Sequence, residues 1–185
     1  MSSLRGEMVI EMPPLNKGAI ALAARELLEI LQPEMLMRPM PLNILNLIDH
    51  VLPRFRVQFC PVSQKELPNS EAETDATSID PIWVLVREEV DRDLRAGGPQ
   101  AHRPKATIAH ELGHVLLHVP VVRRRMMREV FPRFCRVSRS SIPAYLDPEW
   151  QAWALAGCLL MPPSIVSRLP DRSVRALAET FDVSE

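Results

Sequence analysis

TIAHELGHVLLH, Thr107 to His118, sets three histidines four residues apart, with a glutamate directly after the first. On an α-helix, residues four apart differ by roughly 40° in direction and roughly 6 Å along the axis. His110 and His114 therefore point the same way and can converge on one ion. Glu111, turned about 100° from His110, stands beside that point rather than under it. The residues between them (Ile108, Ala109, Leu112, Val115, Leu116, Leu117) are apolar, so the stretch reads as a buried helix with polar groups at chosen places. Left unpaired, each such group costs roughly 2–7 kcal/mol to bury. Two readings are open at this point. Either the spacing is a coincidence on a core helix, or H-E-x-x-H is a metal site in which Glu111 is a base toward water.

A third ligand decides between them. His118 lies about 12 Å along the axis from His110, too far to share an ion seated between His110 and His114. Proteins that take a third histidine from the same segment turn the chain at a glycine, H-E-x-x-H-x-x-G-x-x-H, and position 117 here is leucine. His118 is expected to be a helix-end residue favoured by the macrodipole. Glu149, in DPEWQAWALAGCLLMP (147–162), fits better. Asp147 is a cap and Pro148 takes the first helical position. The apolar stripe Ala152, Leu155, Ala156, Leu159, Leu160 follows, and Glu149 stands three residues before Ala152 on that face. A glutamate in a first turn also favours the dipole without any ligand role. Such a residue usually faces water, and this one faces the core. His110, His114 and Glu149 thus supply three ligands and leave a fourth position open, as in a catalytic zinc site and unlike a closed structural one.

The rest of the chain sets the frame. With 185 residues, 46% of them hydrophobic, it can build one domain with a real core. A net charge of −1 provides no global field toward nucleic acid or membrane, but the charge is uneven. Acids dominate between Lys65 and Asp93, and arginines between Arg123 and Arg139. Cys60, Cys135 and Cys158 are too scattered for a disulfide framework. The N-terminus lacks the apolar run of a signal peptide, and no stretch can span a bilayer. A cytoplasmic protein is expected.

Asn16 caps a helix through KGAIALAARELLEILQ, which Pro33 ends, and LNILNLIDHV predicts a short second helix. RFRVQFC (Arg54 to Cys60) alternates as a half-buried strand, and PIWVLV (Pro81 to Val86) reads as a more buried one. SQKELPNSEAETDATSID between them is almost without apolar content and predicts a loop. The fold class is α+β, with a small sheet packed against helices. A single domain is expected, with N-terminal helices over 1–52 and strands plus the histidine helix over 53–118. An Arg-rich connector follows over 119–146, then the Glu149 helix over 147–162 and the start of a C-terminal helical element over 163–185.

HELGH with a further histidine, followed by EWQAWALAGCLLMP, resembles the ImmA/IrrE family of metallopeptidases. That family's pattern is H-E-L-G-H…H and then E-x-x-A-N-x-F-A-x-x-L-L-M-P. The likeness continues upstream in KGAIALAARELLEIL and PLNILNLIDHV and downstream in VRALAETFDVSE. The resemblance implies a minimal gluzincin-like core in which His110, His114 and Glu149 hold Zn²⁺ and Glu111 is the general base. Members cut helix-turn-helix repressors in responses to phage or DNA damage. The resemblance therefore implies a regulatory protease with such a repressor as its partner, and RFRVQFC offers a strand edge for the extended substrate. The rival is a non-catalytic metal-containing module that regulates a partner by docking, against which the intact Glu111 argues. Two departures stand out. Trp153 and Leu155 replace the family's Asn and Phe, and tryptophan cannot accept a hydrogen bond. The acceptor that a metal-bound histidine requires must come from elsewhere. The family pattern also continues past the place of Glu185, so the C-terminal element is expected to be cut short.

Three further expectations concern single residues. Peptide hydrolysis needs a donor for the developing oxyanion. Tyr145, the only tyrosine, is the candidate, with His102 behind it, and simple packing is the competing reading. Arg123, Arg124, Arg125 and Arg128, followed by Phe131 and Phe134, have the pattern of single-stranded nucleic-acid binding, which would make single-stranded DNA an activating partner. A solvated charge run is the favoured alternative. Cys135, among these arginines, could as thiolate take the fourth metal position and hold the enzyme inactive, against the ordinary reading of a free cysteine.

Overall fold

The computed structural model describes residues 8–78, 80–128, 136–138 and 142–185. Its first helix, α1 (Lys17–Leu31), begins as its sequence predicts, with Asn16 Oδ1 accepting from the Ala19 amide at 2.9 Å. Ile20, Ala24 and Leu28 form its buried face. A short helix α2 (Ile44–Asn46) follows, then a widened turn over Leu47–Val51 and a tight one over Leu52–Phe55. The tight turn occupies the start of the expected strand, so β2 runs Val57–Val62 instead of beginning at Arg54.

The larger sheet has the order β2-β4-β3. β4 (Ile82–Arg87) is central, parallel to β2 and antiparallel to β3 (Ala72–Asp75), with Ala72 opposite Val86 and Thr74 opposite Val84. β3 corrects the expected loop. Of its residues only Thr74 favours a strand, whereas Ala, Glu and Asp do not, and main-chain pairing to a β-rich neighbour holds them extended. A separate ribbon joins β1 (Met8–Ile10) to β5 (Arg136–Ser138), antiparallel.

α3 (Glu88–Ala96) leads through Gly97 and Gly98, both at positive φ, into α4 (His102–Gly113). The helix does not end at His118. It widens through one π-helical turn, His114–His118, and continues as α5 (Val119–Arg128). Widened turns of this kind are often found at functional sites. α6 (Pro148–Leu160) starts at Asp147, whose side chain accepts from the Glu149 amide at 3.0 Å. α7 (Pro163–Val166) and α8 (Val174–Phe181) close the chain. No helix among the described residues is long and apolar enough to cross a membrane.

α6 lies between α1 and α4, and Leu112, Leu155 and Leu159 are fully buried at its contacts. The two helix backbones come close at Gly113, where a Cβ would sit 2.7 Å from Ala152 Cα and 2.9 Å from its carbonyl oxygen. Glycine here is a requirement of helix spacing. Gly113→Ala is expected to force α4 and α6 apart and destabilise the fold by ~1–3 kcal/mol. Gly157→Ala, whose Cβ would meet nothing within 4 Å, should be neutral or stabilising by up to ~1 kcal/mol. Urea denaturation of the two variants beside the wild type measures the contrast.

Candidate metal centre

Three donor atoms meet where α4 faces the first turn of α6. His110 Nε2 and His114 Nε2 are 3.0 Å apart, while Glu149 Oε2 lies 3.2 Å from the first and its other oxygen, Oε1, 3.3 Å from the second. These three residues form a cluster able to hold a metal ion. Bonds of ~2.0–2.1 Å in a tetrahedral shell separate donor atoms by roughly 3.3–3.4 Å, close to the spacing here. Two imidazoles and one carboxylate are also a donor set that divalent first-row metals accept. Burial alone would raise the Glu149 carboxyl. The hydrogen bonds and charge of His110 and His114 outweigh it and hold the group well below the usual carboxylate range.

Glu111 is buried, and its Oε2 accepts from the Thr74 hydroxyl at 2.6 Å. A residue of β3 therefore fixes the carboxylate beside the donor cluster. Both open into a cavity of about 580 Å³, lined also by Glu71, Glu73, Arg103, Thr107 and Trp153. Glu71 accepts from Arg103 Nε at 3.2 Å and from the Thr107 hydroxyl at 3.1 Å. The half-exposed Trp153 places its ring 4.3 Å from that of His110, tilted by 39°. It forms an apolar wall where the family pattern has Asn.

The acceptor missing at Trp153 is found at His118. Its Nδ1 is 3.0 Å from His114 Nδ1, and its Nε2 is 3.0 Å from Gln151 Oε1. The continuing helix carries His118 into the interior, 4% exposed, where burial first and His114 second lower its pKa to about 4. His118 is therefore a neutral core residue, not a cation at a helix end. Gln151 and Thr74 had escaped attention. Gln151 could have been found, because it is a polar residue four before Leu155 on the buried stripe of α6. Thr74 could not, because nothing in its neighbourhood marks a strand.

The other candidates lie elsewhere. Tyr145 is exposed and its side chain does not line the cavity, while its carbonyl accepts from Leu15 and Gln151. His102 opens α4, two turns before His110, and its Nε2 lies 2.9 Å from Asp182 Oδ1. Arg123 donates to the Ser78 carbonyl at 2.6 Å and Arg125 to that of Glu11 at 3.2 Å, so both tie α5 to neighbouring chain. Arg124 is exposed. Cys135, Phe131, Phe134 and the side chain of Arg128 lie outside the described residues.

Elemental analysis should find ~1 equivalent of a divalent metal in the wild type and a sharp loss in Glu149→Ala, since two histidines alone make a weak site. Metal retained by the variant would mean that Glu149 is not a ligand.

No curated protein matches the chain. Residues 100–185, which contain His110, Glu111, His114 and Glu149, match the family model described as the IrrE N-terminal-like domain, Peptidase_M78. Through this segment, a little under half of its length, the chain is similar to the ImmA/IrrE peptidase family.

Proposed function

We propose that the protein is a zinc-dependent endopeptidase that cleaves a partner protein, a helix-turn-helix transcriptional repressor, in a stress or phage response. The observation that carries this reading is the buried Glu111 carboxylate, oriented by Thr74, beside three convergent donors at the floor of an open cavity. A metal held only for structure needs no base next to it.

Zinc on His110, His114 and Glu149 would polarise the scissile carbonyl and acidify water. Glu111 takes the proton of the attacking water and delivers it to the leaving amine. The Thr74 hydroxyl occupies Glu111 Oε2 and so aims the other oxygen. β3 pairs with β4 on one side only among the described residues, and its residues line the cavity. An extended peptide adds to such an edge through main-chain hydrogen bonds. β2 is the opposite edge of the sheet and does not line this cavity, so the substrate-binding edge expected at RFRVQFC moves to β3. Glu73 beside that edge favours a basic residue in the substrate, since Glu71 is already paired with Arg103, and DNA-binding proteins are rich in basic segments.

Co-expression with a repressor encoded beside this chain tests the proposal. Cleavage is expected with the wild type, and Glu111→Gln should slow it by ~10²–10⁴-fold while retaining its metal. A repressor left intact by metal-loaded wild type would remove the repressor from the reading.

A further inference from the structure

We propose that His118 and Gln151 are positioning residues that fix the tautomer and ring orientation of His114, through a buried relay anchored on the N-terminal segment at Pro13. This rests on the metal reading above.

The direction of the relay follows from its far end. Gln151 Nε2 lies 2.9 Å from the Pro13 carbonyl oxygen and 2.8 Å from that of Tyr145. Carbonyl oxygens only accept, so the amide nitrogen must face them and Oε1 must face His118. Flipping the amide would set an oxygen against two carbonyls. With Oε1 as acceptor, His118 carries its proton on Nε2, 3.0 Å away. Its Nδ1 then presents a lone pair to His114 Nδ1 at 3.0 Å, and His114 must donate there. A His114 protonated on Nδ1 presents its Nε2 lone pair to the cluster of His110 and Glu149, as a metal ligand must.

Every donor in the relay meets an acceptor, and the opposite tautomer of His118 would set its Nε2 lone pair against Gln151 Oε1. His118 and Gln151 are 4% and 1% exposed, so water does not substitute for either. The anchor is itself held in place. The Met12 amide donates to the Leu146 carbonyl and the Leu15 amide to that of Tyr145, each at 3.0 Å. His110 lacks an equivalent, because its Nδ1 is buried without a hydrogen-bond partner among the described residues and Trp153 covers the ring. Of the two histidines, His114 is the one whose orientation the fold specifies.

The test is zinc affinity by competition with a chromogenic chelator, together with the visible spectrum of the Co²⁺ form. His118→Leu should weaken binding by ~10–100-fold and shift the Co²⁺ bands. His118→Gln should recover most of both, since a carboxamide can accept from His114 and donate to Gln151. Loss in the first with recovery in the second, while the metal-free variants melt alike, establishes positioning. Unchanged affinity and spectrum in His118→Leu would overturn it. Should His118→Leu fail to fold, long-range ¹H–¹⁵N correlation on the metal-loaded wild type decides. Protons on His114 Nδ1 and His118 Nε2 support the relay, and the opposite assignment ends it. A wild type that takes up no zinc removes the metal reading and this inference with it, an outcome distinct from normal wild-type binding with an indifferent variant.

Discussion

The contact of Gly113 with Ala152 governs the molecule. Three ligand side chains on two helices can meet within 3.0–3.3 Å only if the helix backbones approach more closely than side chains usually allow. The glycine between Glu111 and His114 permits this, because its missing Cβ leaves room for the α6 backbone at Ala152. The apolar residues on either side hold the two helices at that distance. Leu112 on α4 and Leu155 on α6 are both fully buried, and α1 closes over the other face of α6 with Ile20, Ala24 and Leu28. Close packing leaves few alternatives to this geometry, so the polar cluster inherits its precision from apolar neighbours.

Around this axis, polar groups are divided by purpose. Those on the cavity side remain open to water, as with Glu71, Glu73 and the half-exposed Trp153. Those behind His114 are sealed and mutually satisfied. Part of the arginine-rich stretch belongs to the framework, since Arg123 and Arg125 clamp backbone carbonyls of the segment after β3 and of the N-terminal arm. Far from the cavity, Lys105 and His102 bind the carboxylate of Asp182, tying the start of α4 to the residue that ends α8.

Much of this was legible in the residues. Asn16, Asp147 and Pro148 announce helix starts through local chemistry, and those starts are where they fall. The four-residue spacing of His110 and His114 needs no tertiary knowledge, and Glu149 follows from the apolar stripe it heads. What escaped detection depends on partners distant in sequence. β3 is extended because β4 pairs with it, whereas its own Ala, Glu and Asp disfavour a strand. His118 was misread because VLLHVPVV can end or continue a helix, and only packing against Gln151 shows that it continues. The starting point of β2 shifted because Leu52–Phe55 form a turn whose alternation imitates a strand.

The relay also has a consequence for how the molecule is made. It joins Gln151 to Pro13 across 138 positions, while the two histidines between them lie on a helix that can form locally. Contacts this distant close late, after the entropy of a long loop has been overcome. Before Glu149 packs against them, His110 and His114 offer two imidazoles alone, a donor pair that zinc, copper, iron and nickel all accept. Any choice among divalent ions is therefore a task for the finished fold, in which the Glu149 helix has packed against the histidine helix.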